Sequence, residues 1–123
     1  MKIKIEGIKE TQDFLEQKKE SIEEGREKGM GKVALYMEAQ VKSSIAGHEA
    51  ETTSVDTGRF LNSVKGENDE TTAVISTNLD YPEYLEYGTS TIKPRRHFNN
   101  SLDRNKEKIK YFLQSEVSMA VKK

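Results

Sequence analysis

Hydrophobic residues alternate with charged residues at the start of the chain and then recur at helical spacing. Ile3 and Ile5 are separated from their neighbours by single polar residues up to Gly7, and this period of two predicts a short strand with one buried face. From about Glu10 the chain is rich in helix-forming residues, and hydrophobic residues recur three and four apart as far as Ile45. The pattern therefore predicts one strand followed by a long helical segment.

Three glycines fall within the predicted helical segment. Gly25, Gly29 and Gly31 each cost about 1 kcal/mol relative to alanine in a helix interior. Lys18 also interrupts the hydrophobic stripe of the N-terminal half, which is typical of a partly solvated helix. We therefore expect either a kink at the glycines or two helices, of which the first is the more mobile.

The middle of the chain changes from a polar loop to alternating segments. Residues 46–58 are small and polar and lack periodicity, which predicts a flexible loop over 46–56. Residues 59–78 then predict a strand, a turn and a second strand. The residues expected to be buried in this hairpin are Phe60, Val64, Val74 and Ile75.

The last third of the chain predicts two further helices. Asp80 can cap a short helix that ends at Gly88, and Glu83 completes a capping pattern three residues later. An extended, proline-containing connection follows. A final amphipathic helix is expected to begin at Asn99 or Asn100.

Together these elements predict a single α+β domain over residues 1–123. The long N-terminal helical segment and the C-terminal helix are expected to pack on a small, mainly antiparallel sheet built from the first strand and the 59–78 hairpin. Of the 123 residues, 33% are hydrophobic and 33% are charged, so the core is small. No hydrophobic run reaches the roughly 18 residues that span a bilayer, and no membrane partner is expected.

Charge is balanced overall but divided between two adjacent segments. The formal net charge of -1 argues against a general nucleic-acid binder. Acidic residues dominate 49–89, whereas basic residues dominate 93–110. Segments of opposite sign can neutralise each other within one fold, or they can pair across a head-to-tail interface between copies.

The residues needed for common catalytic or metal sites are absent or unsuitably spaced. The chain has no cysteine, and its two histidines, His48 and His97, lack ligand spacing, so neither a cofactor nor a metal is expected. His97 follows two arginines, which disfavour its charged form. A reactive site formed by Tyr84, Glu86 and His97 would need a deep pocket and a shifted pKa, and we do not expect an enzyme.

Three tyrosines cluster in the predicted short helix. Tyr84 and Tyr87 are three residues apart and share a face, and Tyr81 precedes them by a further turn. Rings with a polar tip suit a surface that is buried only on assembly. The nearby Arg95 and Arg96 favour salt bridges within or between subunits over contacts with phosphate.

Two motifs follow one another in the second half of the chain. The first is VDTGRFLNSV at 55–64, and the second is YPEYLEYGT at 81–89. In this order, followed by a basic linker and a terminal helix, they resemble the tail-completion or head–tail joining proteins of tailed bacteriophages, small neck proteins grouped with minor capsid families. The matching positions are Val55, Asp56, Thr57, Gly58, Arg59, Leu61, Ser63 and Val64, then Tyr81, Tyr84, Glu86, Tyr87, Gly88 and Thr89. In the linker Phe98 is in register, whereas Arg96 and His97 stand where the family has a proline.

The resemblance implies structural work in the virion. It implies a ring, expected to be hexameric, at the head-proximal end of the tail, where the ring terminates the tail tube and joins it to the head connector. The implied partners are further copies of the chain, the tail tube protein and head connector or stopper proteins, with genomic DNA passing through the lumen without specific binding. Assembly is expected in the host bacterial cytoplasm.

Two alternatives stay open beside this reading. One is a head-side connector or stopper component, which is also a small ring protein. The other is a small nucleic-acid-binding domain, whose binding would weaken steeply with salt. The basic residues available to it are Lys93, Arg95, Arg96, Arg104 and Lys108.

Residue roles follow from the two motifs and the chemistry of their side chains. The expected subunit or partner interface comprises Arg59, Tyr81, Tyr84, Glu86, Tyr87, Thr89, Arg95, Arg96 and His97. The expected structural turns are Asp56, Thr57, Gly58 and Gly88, because Asp and Thr bond nearby amides and glycine accepts a positive φ. Glu86 is the candidate partner of Arg59 or Arg96, within or between subunits. The 46–56 loop is expected to become ordered on contact with a neighbouring ring.

Overall fold

A three-stranded antiparallel sheet and the helices packed on it form the fold. The computed structural model of the chain describes residues 1–6, 19–54 and 58–121. The strands are β1 (Lys2–Glu6), β2 (Lys65–Asn68) and β3 (Thr72–Ser76), in the order β1-β3-β2. The helices are α1 (Lys19–Ile45), α2 (Arg59–Ser63), α3 (Pro82–Tyr87), α4 (His97–Arg104) and α5 (Lys106–Val121). The predicted α+β class and the predicted N-terminal strand are confirmed. None of the helices in these ranges combines the length and the apolar character that a membrane span requires.

One face of the sheet is buried under α1. The register places Ile3 opposite Ile75 and Ile5 opposite Ala73, and these side chains are buried. The intervening Lys4 is exposed, as the alternation of side chains along a strand requires. On the helix side, the core is completed by Met30, Val33, Met37, Val41 and Ile45, each with 0% of its surface exposed.

The helix α1 continues without interruption through its glycines. The Cβ atom of an alanine at Gly25 would lie 2.7 Å from the Ala120 Cβ atom, and one at Gly29 would lie 3.3 Å from the Leu113 Cδ2 atom. The expectation of two helices is therefore wrong for the described part of α1. Gly25 and Gly29 are sites where the antiparallel helix α5 approaches closely, and this packing offsets their low helix propensity. The predicted helical residues before Lys19 lie outside the described ranges.

A fourth glycine brings the edge strand β2 against α1. A Cβ atom at Gly66 would lie 2.6 Å from the Ala34 carbonyl oxygen. The Gly66 N–H donates to Glu38 Oε1 over 2.8 Å, so a helix side chain satisfies a backbone donor of the strand. The sheet and α1 therefore meet backbone to backbone at this position.

The first half of the predicted hairpin is a helix instead of a strand. Arg59–Ser63 forms α2, and the strand β2 begins only at Lys65. Five residues with spaced hydrophobic positions fit either period, and the burial of Phe60 among other aromatic rings decides for the helix. The predicted burial of Phe60, Val64 and Ile75 is confirmed. Val74 is only half-buried, because it alternates onto the outer face of β3.

The predicted short helix is confirmed as α3, but its cap differs from the expectation. Tyr81 occupies the N-cap position and no side chain caps the first turn, so the capping pattern expected from Asp80 is wrong. The final helix begins at His97, two residues before its earliest expected start, and a break at Asn105 divides it into α4 and α5.

The connection between α3 and α4 is a turn instead of an extended segment. The Thr89 N–H donates to the Ile92 carbonyl oxygen over 2.9 Å. The Thr89 hydroxyl oxygen in turn accepts the N–H groups of Thr91 and Ile92. These bonds fold residues 89–92 back on themselves and return the chain to α3, where the Arg95 N–H donates to the Leu85 carbonyl oxygen.

Two glycine-to-alanine substitutions in α1 are predicted to have opposite effects. Gly25→Ala should lower the free energy of unfolding by about 1–3 kcal/mol, because its methyl group overlaps Ala120 and the Glu116 carbonyl oxygen. Gly31→Ala should raise it by up to about 1 kcal/mol, because the nearest atom, Asn68 Oδ1, is 3.9 Å away and alanine is the better helix former. Urea unfolding of both variants measures the two changes, and equal signs would contradict the close packing of α1 on α5.

Candidate functional site

Three tyrosine rings form an exposed surface on and beside α3. Tyr84 and Tyr87 are 59% and 57% exposed, and Tyr81 at the N-cap is 40% exposed. We call these three residues the tyrosine surface. Tyr81 also packs edge-on against Phe60, with ring centroids 6.0 Å apart. The surface is therefore anchored at one ring and presents the other two to solvent.

The position of the tyrosine surface depends on the buried carboxylate of Glu86. Glu86 lies on the inner side of α3 and is 1% exposed. Its Oε1 atom accepts the Phe98 N–H over 2.9 Å, and its Oε2 atom accepts the Asn99 N–H over 2.8 Å and the Asn99 side-chain amide over 2.7 Å. These backbone N–H groups belong to the first turn of α4, where backbone donors have no acceptor within their own helix. Glu86 therefore caps α4 from a neighbouring helix, where the helix dipole also favours a negative charge.

Within the chain, Glu86 does not pair with Arg96 as expected. The Arg96 guanidinium Nε donates to Asn100 Oδ1 over 3.0 Å instead, one turn along α4. Glu86 is enclosed within the chain, so it positions α3 against α4 and is not itself a surface contact. Arg96 adopts the left-handed backbone conformation, with φ of 52° and ψ of 41°. Proline cannot adopt a positive φ, so this backbone could not hold a proline at position 96.

Gly88 closes α3 with a conformation that a larger residue could not adopt. Its φ is 79°, and a Cβ atom would lie 2.8 Å from both the Ile92 carbonyl oxygen and the Pro94 Cδ atom. The expected turn at Gly88 is present, although its ψ of 171° is extended instead of left-handed helical. Gly58, the other glycine expected in a turn, has a φ of 79°. Asp56 and Thr57 lie outside the described residues.

A chain of hydrogen bonds runs through the buried His97 side chain. Its Nδ1 atom lies 2.8 Å from Ser44 Oγ, and its Nε2 atom lies 2.6 Å from Ser54 Oγ. The single hydroxyl hydrogen of Ser44 is donated to Glu51 Oε1 over 2.6 Å, so Ser44 accepts the proton on Nδ1. Nε2 is then the acceptor of the Ser54 hydroxyl, whose oxygen accepts Arg95 Nη1 over 2.9 Å. The bonds run in one direction from a cation to a carboxylate, and they require a neutral imidazole.

The electrostatics of this chain agree with its hydrogen bonds. Burial lowers the pKa of His97 to about 4, with a smaller lowering by Arg95 and an opposing effect of the Glu51 charge. The two hydrogen bonds from Arg104, of 2.9 and 3.0 Å, hold the pKa of Glu51 below its usual range. The bond to Glu51 raises the pKa of Arg104 in return. At neutral pH the imidazole is therefore uncharged and the Glu51–Arg104 pair is ionised.

Tyr84, Glu86 and His97 do not form the reactive site that was considered from the sequence. Tyr84 is exposed, Glu86 caps α4, and His97 is occupied at both ring nitrogens. The Ser54–His97 contact has the form of a nucleophile and its base, but Arg95 binds the serine oxygen and the imidazole is a weak base. Within the described ranges, no group of three or more His, Asp or Glu residues could hold a metal ion.

The predicted interface residues divide into two groups. Arg59, Thr89 and Arg96 are exposed, as are the three tyrosines. Glu86 and His97 are buried, and Arg95 donates to the Thr53 carbonyl oxygen within the chain. The residues of the second group therefore make contacts within the chain that hold the exposed residues in position.

The sequence contains little that indicates which residues contact His97. Ser44 and His97 are 53 residues apart, and no spacing relates them. The detectable clue is that Ser44 adjoins the hydrophobic stripe of α1, and in the structure it is 0% exposed. A serine on a buried helix face needs a hydrogen-bond partner, so its position indicates a polar contact there. Glu51 and Ser54 lie in the segment expected to be flexible, where composition indicates no contact.

Removing the Glu86 carboxylate is predicted to destabilise the protein far more than removing its neighbour. Glu86→Ala leaves a buried and a partly buried backbone donor and a side-chain amide without their acceptor, and should lower the free energy of unfolding by about 3 kcal/mol or more. Glu83→Ala, on the exposed side of the same helix, should change it by less than about 0.5 kcal/mol. Chemical denaturation of both variants measures the difference, and similar small losses would show that Glu86 is not the cap.

Comparison of the chain with protein-family models, with curated proteins and with solved structures finds no match. The resemblance to phage neck proteins therefore rests on the two motifs and their order.

Proposed function

We propose that this chain is a structural protein of the phage neck, which forms a ring at the head-proximal end of the tail, terminates the tail tube and joins it to the head connector. The observation that supports the proposal most directly is the tyrosine surface. Its exposed rings stand on a helix that a buried carboxylate fixes in place. Tyrosine is enriched at protein interfaces, and a rigid support reduces the entropy lost on binding.

The tyrosine surface and the β2–β3 hairpin turn lie toward opposite ends of α1. Arg26, near one end of α1, forms an ion pair of 3.6 Å with Glu70 in the hairpin turn. Ser44, near the other end, contacts His97 at the start of α4, beside the Glu86 cap. The two positions on α1 are separated by roughly 27 Å at 1.5 Å per residue. The protein therefore presents two different surfaces at two ends.

The two ends also differ in chemistry. The hairpin turn carries Glu67, Asp69 and Glu70, and Asp69 holds it closed by accepting two backbone N–H groups over 2.8 Å. At the other end, Lys93 and Arg96 are exposed near the tyrosines, together with the acids Asp80 and Glu83. Because both signs of charge occur there, we expect burial of the tyrosine rings to provide most of the binding free energy between subunits. Charge pairing then sets the relative position of the two subunits. Unlike surfaces at two ends suit head-to-tail contacts, which close into rings when the rotation permits.

Several side chains of the basic segment have partners within the chain, which disfavours the nucleic-acid alternative. Arg95 is bound to residues 53 and 54, and Arg104 is bound to Glu51. Lys106 pairs with Asp103 over 3.2 Å, and Lys108 lies 5.5 Å from the centroids of two aromatic rings. A phosphate backbone would have to compete with these partners for the charges.

Complementation of defective particles tests the proposed role. Tails and heads are prepared from a phage whose gene for this chain is deleted, and the purified protein is added to each. Electron microscopy is expected to show an added ring at the head-proximal end of the tails, and mixing with heads should restore infectious particles. A ring on the head connector instead would assign the chain to the stopper position. Particles unchanged at both sites would refute a neck role.

A double substitution in the tyrosine surface is predicted to abolish the ring. In Tyr84→Ser/Tyr87→Ser, each lost ring that contributes about 2 kcal/mol weakens a contact about 30-fold. The matched control is Tyr111→Ser on α5, where the ring is 61% exposed but lies outside the tyrosine surface. Equal ring formation by both variants, scored in the same micrographs, would exclude the tyrosine surface as the subunit contact.

A further inference from the structure

The segment between α1 and the undescribed residues 55–57 is attached to the protein without hydrophobic anchors. Residues 46–54 are small or polar, and none of them belongs to the hydrophobic core that the described ranges build. Its backbone returns to α1, where the Ser54 N–H and the Thr53 hydroxyl both donate to the Ile45 carbonyl oxygen. Glu49 and Glu51 attach it further through hydrogen bonds and ion pairs to Ser43, Ser44 and Arg104, so the segment can separate from the protein without exposing a hydrophobic surface of its own.

The attachments of this segment converge on His97 and its neighbours. Ser54 donates to His97 Nε2, and Arg95 Nη1 donates to the Thr53 carbonyl oxygen over 2.9 Å. Glu51 accepts from Ser44 and from both terminal nitrogens of Arg104. The imidazole is therefore central to the polar contacts that hold the segment against α1 and α4.

We propose that residues 46–54 form an acid-released flap, which the neutral His97 side chain holds closed and which opens when His97 binds a proton. The closed geometry disfavours that proton. Nδ1 already donates to Ser44. A proton on Nε2 would make the Ser54 oxygen accept hydrogen bonds from both the imidazolium and Arg95. The Ser54 hydroxyl hydrogen would then lose Nε2 as its acceptor. Opening exposes the ring to water and removes the conflict.

The charges around His97 come from the flap and the linker. Glu51 in the flap favours the protonated ring, whereas Arg95 in the linker disfavours it. On the other sides, α1 contributes the uncharged Ser44, and α2 contributes the Phe60 ring, whose centroid is 6.0 Å from that of the imidazole. Burial, assisted by Arg95, outweighs the effect of Glu51 and lowers the pKa of His97 to about 4 in the closed form.

The direction of the pH effect follows from this pKa. Because the closed form binds the proton more weakly than a solvated histidine does, closure is fully stable above pH 6.5 and weakens as the pH falls toward 4. With the ordinary pKa of 6.5 in the open form, the ratio of open to closed flap rises about 30-fold between about pH 7.5 and about pH 5. Protonation of Glu51 would release the flap further, but its lowered pKa places that step at lower pH.

Amide hydrogen exchange of the full chain, followed by NMR, tests the flap. The protection factor of the Ser54 amide, corrected for the intrinsic pH dependence of exchange, should fall about 30-fold between about pH 7.5 and about pH 5. The amides bonded between β1 and β3 should keep their protection. Constant protection at Ser54 would overturn the proposal. A parallel loss in the strands would also overturn it, because the protein would then unfold as a whole.

The two histidines supply a matched pair of variants. His97→Gln removes the titrating group and should make the protection of Ser54 independent of pH. His48→Gln changes an exposed histidine of the same segment and should leave the wild-type dependence intact. If the first variant does not fold, the imidazole resonances of the wild type decide, because the pKa of His97 must lie well below the ordinary histidine value of 6.5. A His97 midpoint at 6.5 would refute the flap. None of these outcomes depends on the proposed role in a phage neck.

Discussion

The buried start of α4 imposes the requirement on which both functional features depend. A helix N-terminus presents backbone N–H groups that need acceptors, and here water cannot supply them. Glu86 meets that need from α3, and in doing so fixes the helix that carries the tyrosine surface. His97, the first residue of α4, is buried by the same packing and needs partners at both ring nitrogens. It finds them on α1 and in the 46–54 segment, so one helix end organises the surface and the flap together.

The proposed neck function and the flap use different parts of this arrangement. Glu86 holds its helix through charge-assisted bonds in a buried position, so the tyrosine surface is a rigid feature. The flap is held by a relay that depends on one neutral side chain and has no hydrophobic anchor. One protein can therefore combine a rigid surface for docking with a neighbouring segment that can be released. The physical difference is that a carboxylate with three donors tolerates few alternatives, whereas a histidine that becomes solvated regains its ordinary pKa of 6.5 and can bind a proton.

Sequence patterns succeeded where local periodicity and burial coincide. The alternation at Ile3 and Ile5 predicted β1, and the spacing of Tyr84 and Tyr87 placed them on one exposed helix face. They failed at Arg59–Ser63, where five residues fit a strand or a helix equally well, and at Glu86, where an acid in an amphipathic helix was expected to face a cation. In both cases the deciding contact comes from residues distant in sequence: aromatic rings around Phe60, and the backbone of α4 for Glu86.

Composition and periodicity were enough to predict the α+β class, the absence of cysteine chemistry, the tyrosine-rich helix and the division of charge between adjacent segments, because these patterns act over a few residues at a time. Only the packed fold shows that Gly25 and Gly29 admit α5, that Glu86 is a cap and that His97 is a neutral link between α1 and a polar segment. These outcomes depend on which backbone donors and side chains are brought within 3 Å of one another, and distances between residues far apart in sequence are set only when the whole core packs.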